Sequence, residues 1–182
     1  MIVRPATEGD FAALARLDLT YPAGRYLHIE RTGEAPQHTF RLQWREQDSP
    51  DAVYADYPEE RLRGAVQRAG LFLVAEVDGA AAGLLMVVVP AWTDAAEITD
   101  LAVNRGARRS GAGRALVQAA AAWARERGYR ALWVEPSADN AAAIEFYLAL
   151  GFRISGFNDR LYSNADDEPG RQTVYMHLEL VS

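Results

Sequence analysis

The apolar positions of this chain change period several times, and each change marks an element. Met1–Pro5 reads as a short strand. Thr7-Glu-Gly-Asp10 offers helix-start chemistry, and Phe11, Leu14 and Leu17 then recur at helical spacing. Tyr21-Pro22-Ala-Gly24 breaks that helix. Arg25–Glu30 and His38–Arg45 alternate in part around Thr32-Gly-Glu-Ala-Pro36. This predicts a hairpin in which Tyr26, Leu27 and Ile29 face Phe40, Leu42 and Trp44. Gln47–Tyr57 is a polar connection rich in turn residues.

Glu59–Ala69 returns to a helical pattern, ended by Gly70. Leu71–Val77 and Ala80–Val89 flank Asp78-Gly79, a strong hairpin turn. After the loop Pro90–Asp94, Glu97–Val103 reads as a strand and Gly111–Arg127 as a helix closed by Gly128. The run Ala119–Ala122 would let that helix approach a sheet closely. Ala131–Glu135 is a buried strand, Asn140 opens a further helix, and Phe152–Phe157 and Thr173–Leu180 close the chain. Ser163–Gly170, with Asp166-Asp167-Glu168, is an acidic loop. Alternating strands and helices without repeats or a boundary predict one α/β domain over residues 1–182.

The junction Ile98–Gly113 carries chemistry. A strand feeding a glycine turn that opens a helix suits a phosphate, because the first helical amides lack partners and the helix dipole adds positive potential. Gly111 and Gly113 let an anion approach the main chain, and Arg108, Arg109 and Arg114 add charged donors. A Walker A loop would need a Lys after Gly113, and a Rossmann fingerprint would need a Gly where Leu116 stands.

A second pattern follows: Asn140-Ala-Ala-Ala143-Ile144-Glu-Phe146-Tyr147-Leu-Ala-Leu150-Gly151-Phe152. Asn140 is a good N-cap, while Ala143, Ile144, Tyr147 and Leu150 would share one helical face. Arg108-x-x-Gly111-x-Gly113 after Leu101-Ala102-Val103 resembles the acetyl-CoA signature of the GNAT N-acetyltransferases, and the Asn140–Phe152 pattern resembles that family's later motif. The resemblance covers roughly residues 1–19 and 59–180, leaving an insertion at about 20–58. Ser110 departs from the family's frequent Arg-Gly-x-Gly step. The C-terminal GFRISGFNDRLYSN, followed by VYMHLEL, is similar within that superfamily to streptothricin acetyltransferases.

The resemblance implies a GNAT fold: a mixed, mostly antiparallel sheet flanked by about four helices, here with an N-terminal hairpin insertion. It implies acetyl-CoA as cofactor, its pyrophosphate over Arg108, Arg109, Ser110, Gly111, Ala112, Gly113 and Arg114. Main-chain groups of Leu101, Ala102 and Val103 would pair with the pantetheine arm, and Asn140 and Ala143 would also border it. Tyr147 is the family's usual proton donor to the leaving thiolate, and an acid at the Glu97 position often serves as base. Asp100 is the other candidate, and a regular strand would turn it and Glu97 to opposite faces. Trp44, Asp100, Glu135 and Asp159 are candidates for holding the acceptor.

Composition narrows the picture. There is no cysteine, which excludes disulfides, thiolate zinc sites and a cysteinyl acyl-enzyme, and favours direct attack by an amine. The three histidines, His28, His38 and His177, lie apart and predict no metal site. The net charge of −6 without a basic run argues against nucleic acid and suits a cationic substrate, though solubility alone would also explain it. The resemblance implies a small cationic acceptor, a streptothricin-type antibiotic. A protein or polyamine acetyltransferase and a non-catalytic acyl-CoA-binding module stay open as alternatives. The longest apolar run, Ala80–Ala91, is too short to span a bilayer, and Met1–Asp10 lacks a signal-type apolar core, so a cytoplasmic protein without a membrane partner is expected. A homodimer is left open.

Overall fold

The computed structural model describes residues 1–48, 52–53, 57–161 and 172–180. In chain order the elements are β1 (Ile2–Pro5), α1 (Phe11–Leu14), β2 (Thr20–Tyr21), β3 (Arg25–Glu34), β4 (Gln37–Glu46), β5 (Ala52–Val53), α2 (Glu59–Val66), β6 (Leu71–Val77), β7 (Ala80–Val88), β8 (Ala95–Val103), α3 (Ala112–Glu126), β9 (Ala131–Val134), α4 (Ala141–Ala149), β10 (Arg153–Asn158) and β11 (Thr173–Glu179). They group into two compact units, Met1–Thr20 with Val53–Val134 and His177–Ser182, and Tyr21–Ala52 with Glu135–Met176. The acidic loop expected at Ser163–Gly170 lies almost wholly outside the described residues, as does much of the Gln47–Tyr57 connection.

The first unit holds a sheet in the order β1-β6-β7-β8-β9. Its first three pairings are antiparallel, while β8 and β9 run parallel. One face buries Phe72, Val74, Leu84, Met86 and Ala102 against Phe11 and Leu14 of α1 and Leu62 of α2. The other carries Leu73, Leu85, Val87 and Ile98, all buried, and receives α3 through Leu116, Val117, Ala120 and Ala124. Alanine at those helix positions permits the close packing expected of the Ala119–Ala122 run.

The N-terminal helix is shorter than its apolar spacing predicts. A 3-10 turn at Glu8–Asp10 leads into α1, which ends at Leu14. Leu17 still packs against the core from the following turn. Arg4 on β1 holds this corner: its guanidinium donates to both Asp10 oxygens at 2.9 and 2.6 Å and to Glu76 of β6 at 2.8 Å. The Asp10 carboxyl is thereby lowered to about 2, first by Arg4 and then by the Thr7 amide and hydroxyl, against the opposing effect of burial.

In the second unit β3 and β4 form the hairpin, longer and tighter than the alternation predicts. Pairing is continuous from Arg25↔Glu46 to Glu34↔Gln37 and leaves Ala35-Pro36 as the turn. The register corrects one expectation. Leu27 stands opposite Trp44 and Ile29 opposite Leu42, but Tyr26 pairs with Arg45 and so lies on the other face. Adjacent residues on a strand cannot share a face, so Tyr26 could not join Leu27. The Leu27 amide donates to the Ala138 carbonyl at 2.8 Å, and Phe40 packs on Phe157 with ring centroids 4.7 Å apart.

Candidate active site

The strand β8 is paired along both edges only at Glu97 and Ile98. Its parallel ladder with β9 runs from Ala95↔Ala131 to Ile98↔Val134, where β9 ends. β8 continues to Val103, still bonded to β7 on the other side. The β9-side main chain beyond Ile98 is therefore a strand edge to which an extended amide chain can add. Part of the expected set is already used, since the Val103 carbonyl accepts from Arg108 Nε at 3.3 Å.

The β7–β8 register slips between Met86 and Val87: Val87 pairs with Ile98, Met86 with Asp100, and Thr99 is the extra residue. This bulge overturns the expectation that Glu97 and Asp100 point to opposite faces. One added residue restores their parity, so both carboxylates share the face of Val88 and Met86.

After β8 the chain is stapled down. The Asp18 amide donates to Asn104 Oδ1 at 3.0 Å, and the Arg105 amide to the Asp18 carbonyl at 2.7 Å. A 3-10 turn at Arg105–Ala107 follows, then Arg109 at φ 67 and Gly111 at φ 92, both left-handed. Gly111 is the N-cap of α3, so the helix begins one residue later than the pattern predicts. A Cβ there would meet only Met1 Cε at 3.9 Å; its backbone conformation, not crowding, calls for glycine. The Ala112 amide donates to Ser110 Oγ at 3.3 Å, and Ala115 makes the first helical bond, to the Gly111 carbonyl. The amides of Gly113 and Arg114 thus have no intrahelical acceptor and suit an anion. Arg109 and Arg114 are exposed, whereas Arg108 is partly buried, which lowers its pKa.

The remaining candidates lie in the second unit. Asn140 Oδ1 accepts from the Ala143 amide at 3.0 Å and caps α4, which commits that oxygen to the helix. Tyr147 is buried between Phe146 and Phe152, with ring centroids 5.3 and 5.1 Å away. Glu135 accepts from Thr173 Oγ1 at 2.8 Å. Trp44 lies under Arg25, whose guanidinium carbon stands 4.3 Å from the ring centre and which pairs with Glu145 at 2.7 Å. Asp159 follows β10 and is half-buried.

Sequence reasoning missed two residues, Tyr57 and Arg61. The Tyr57 hydroxyl donates to Asp100 Oδ1 at 2.7 Å, and Arg61 of α2 approaches the same oxygen at 3.4 Å. Tyr57 closes a polar connection and matches no motif, so only the fold reveals it.

The chain is similar in sequence and fold to known proteins. The sequence model of the acetyltransferase (GNAT) family matches residues 29–152. A streptothricin acetyltransferase of Streptomyces lavendulae is 32% identical over 180 residues, covering 96% of this chain and 93% of that one. A crystal structure of nourseothricin acetyltransferase superposes with a TM-score of 0.81 at 29% identity, covering 99% and 98% of the two chains. A Bacillus anthracis str. Ames protein solved with acetyl coenzyme A shares the fold at a TM-score of 0.80 and 20% identity, over 98% of each chain. Among the described residues no helix is long and apolar enough to cross a membrane. The chain belongs to the GNAT family of acetyltransferases, and it is an N-acetyltransferase that uses acetyl-CoA.

Proposed function

We propose that this enzyme moves the acetyl group of acetyl-CoA directly to a primary amine of a small cationic acceptor of the streptothricin type. The observation that carries the reading is the bulge at Thr99, which sets two carboxylates, Glu97 and Asp100, on one sheet face beside the open edge of β8. Similarity along nearly the whole chain to a streptothricin acetyltransferase supports the acceptor class. A single family model running through residues of both units supports one catalytic domain.

In this reading Leu101 and Ala102 hold the pantetheine arm by main-chain bonds, with Val103 contributing only what Arg108 leaves. The turn from Arg108 to Arg114 holds the pyrophosphate on the amides of Gly113 and Arg114. Asn140 and Ala143 border the cofactor through α4. Acetyl-CoA supplies a thioester-activated acetyl group. An alkyl ammonium, with a pKa near ~10.4, must lose a proton before attack, and Glu97 or Asp100 accepts it, directly or through water. Tyr147 holds the proton that the departing sulfur needs, its phenol acting as the general acid. Trp44, Glu135 and Asp159 contribute to acceptor binding.

The test is acetyl-CoA turnover against streptothricin, a polyamine, a lysine-bearing peptide and a neutral amine at two salt concentrations. Streptothricin should give the highest kcat/KM, with KM rising with salt because exposed charge pairing is screened. Preference for the neutral amine without a salt effect would defeat the reading.

A further inference from the structure

We infer that Asn104 and the corner Asp18–Thr20 form a clamp that sets the cofactor turn in its binding conformation before acetyl-CoA arrives, with Asn104 as the positioning residue. The inference rests on the proposed place of the pyrophosphate, over Arg108–Arg114, and adds what keeps that turn ready.

The turn needs holding. Arg109 stands at φ 67, a conformation that glycine adopts freely and that the Cβ of arginine disfavours. A residue in that region persists only where its surroundings over-determine it. The bonds on either side of Arg109 are long: the Arg108 amide reaches the Arg105 carbonyl at 3.3 Å and the Ser110 amide the Ala107 carbonyl at 3.4 Å. The hold therefore comes from further back. Asn104 Oδ1 accepts the Asp18 amide at 3.0 Å, and the Asp18 carbonyl accepts the Arg105 amide at 2.7 Å. The main chain of Asn104 is fixed as well, its amide donating to Ala82 and its carbonyl accepting from Ala107, both at 2.8 Å.

Asp18 is exposed, yet its corner is firm. Its Oδ1 accepts the Thr20 hydroxyl at 2.5 Å and the Thr20 amide at 3.0 Å, which lowers the carboxyl below its ordinary pKa. Arg105 and Arg108 act in the same direction by charge, so the ionised corner also attracts the turn it holds. The next residue, Leu19, is buried in the core with Phe11 and Leu14. The bond between Asp18 and Asn104 spans 86 positions, so the turn takes its shape from a part of the chain outside its own sequence. A ligand that meets a turn already in place need not spend binding energy on ordering it.

The experiment is calorimetric titration of coenzyme A into a double-mutant cycle of Asn104→Ala and Arg109→Gly. Asn104→Ala alone should raise Kd about tenfold, the effect of reducing the competent turn to about a tenth of the molecules. Arg109→Gly loses one charge but also the conformational penalty. In that background Asn104→Ala should cost only about twofold, because the turn no longer depends on the clamp. A purely structural Asn104 would give the same loss in both backgrounds, and that result would overturn the inference, as would wild-type affinity in a folded Asn104→Ala protein. If Asn104→Ala fails to fold, Thr20→Val, which takes one bond from Asp18 Oδ1, should raise Kd about threefold with the same dependence on Arg109. Arg114→Ala tests the underlying reading. If it binds coenzyme A like the wild type, the pyrophosphate does not lie over this turn, and the inference falls with that reading. If Arg114→Ala weakens binding and Asn104→Ala does not, the clamp alone is overturned.

Discussion

The turn between β8 and α3 and the hairpin of β3 and β4 are built by opposite means. In the turn the backbone does the work: left-handed Arg109 and Gly111, an open strand edge and helix-start amides. Side chains there are mostly exposed arginines or alanines. In the hairpin the inner edge of each strand is spent on the shared ladder, from Arg25↔Glu46 to Glu34↔Gln37, and the outer edge of β3 bonds within its own unit, the Leu27 amide to Ala138 and the Ile29 amide to Gln172, so recognition there is assigned to side chains such as Trp44. Main-chain recognition suits a cofactor that is the same in every reaction. Side-chain recognition suits an acceptor that varies between relatives. Substitutions in the two regions should therefore fail in different ways.

The largest effect is expected at neither region but at Tyr147, whose hydroxyl is assigned chemistry rather than binding. Tyr147→Phe retains the packing against Phe146 and Phe152. The single-turnover rate should fall by roughly 10²-fold, within the range for a general acid, with acetyl-CoA affinity unchanged. An unaltered rate would reduce Tyr147 to a core aromatic and leave all chemistry to the β8 side.

How much could be read in advance follows the same division. Gly111, Asn140 and the strand into Val103 were legible because glycine, cap and apolar run have local physical causes. The hairpin was legible as alternation, yet Tyr26 was grouped with Leu27 although adjacent strand residues face opposite ways, and the register puts it opposite Arg45. The bulge at Thr99 was invisible, since it arises from pairing with β7 and Thr99 has no bulge-forming signature of its own. Tyr57 was hidden for a related reason. Its partner Asp100 is 43 positions away, and nothing local announces a bond at that separation.

A second test asks how firmly the unit carrying the turn is held. The Asp10 carboxyl is lowered from 3.8 to about 2, a shift that corresponds to about 2 kcal/mol at most. A group whose pKa is depressed by folding stabilises above its unfolded value and loses that contribution as protons bind. Stability should therefore be intact above about pH 4, decline below it and lose this term by about pH 2. Asp10→Asn should be less stable at pH 7 and show a flatter decline, read by chemical denaturation across that window. Parallel curves for the two proteins would remove Asp10 from the account.

Within the turn, Gly113→Ala separates approach from conformation. Gly113 lies in the first turn of α3 without a positive φ, so alanine should raise helix stability by about 0.5–1 kcal/mol. The added methyl should nonetheless weaken coenzyme A binding about tenfold by crowding the amide edge, roughly the loss of one charge-assisted hydrogen bond. Gly111→Ala, at φ 92, should lose stability as well as affinity. Calorimetric titration beside thermal melting distinguishes the two. Unchanged affinity in a stabilised Gly113→Ala protein would mean that the pyrophosphate does not rest on these amides.

The smallest effect is expected in the hairpin, at Trp44. Arg25 already covers one face of the indole and is itself tied to Glu145, so only the other face and the ring edge can meet a ligand. A partly exposed aromatic contributes about 0.5–1 kcal/mol to holding a cation. Trp44→Ala should thus raise KM for a cationic acceptor about threefold, with coenzyme A affinity at the wild-type value, and Trp44→Phe should recover part of the loss. Arg25 would keep its ion pair with Glu145 in both variants, so the fold of the hairpin base is preserved and the comparison reads the ring alone. If both variants match the wild type in KM while melting earlier, Trp44 serves only to seat Arg25, and acceptor recognition rests on carboxylates such as Asp100 instead.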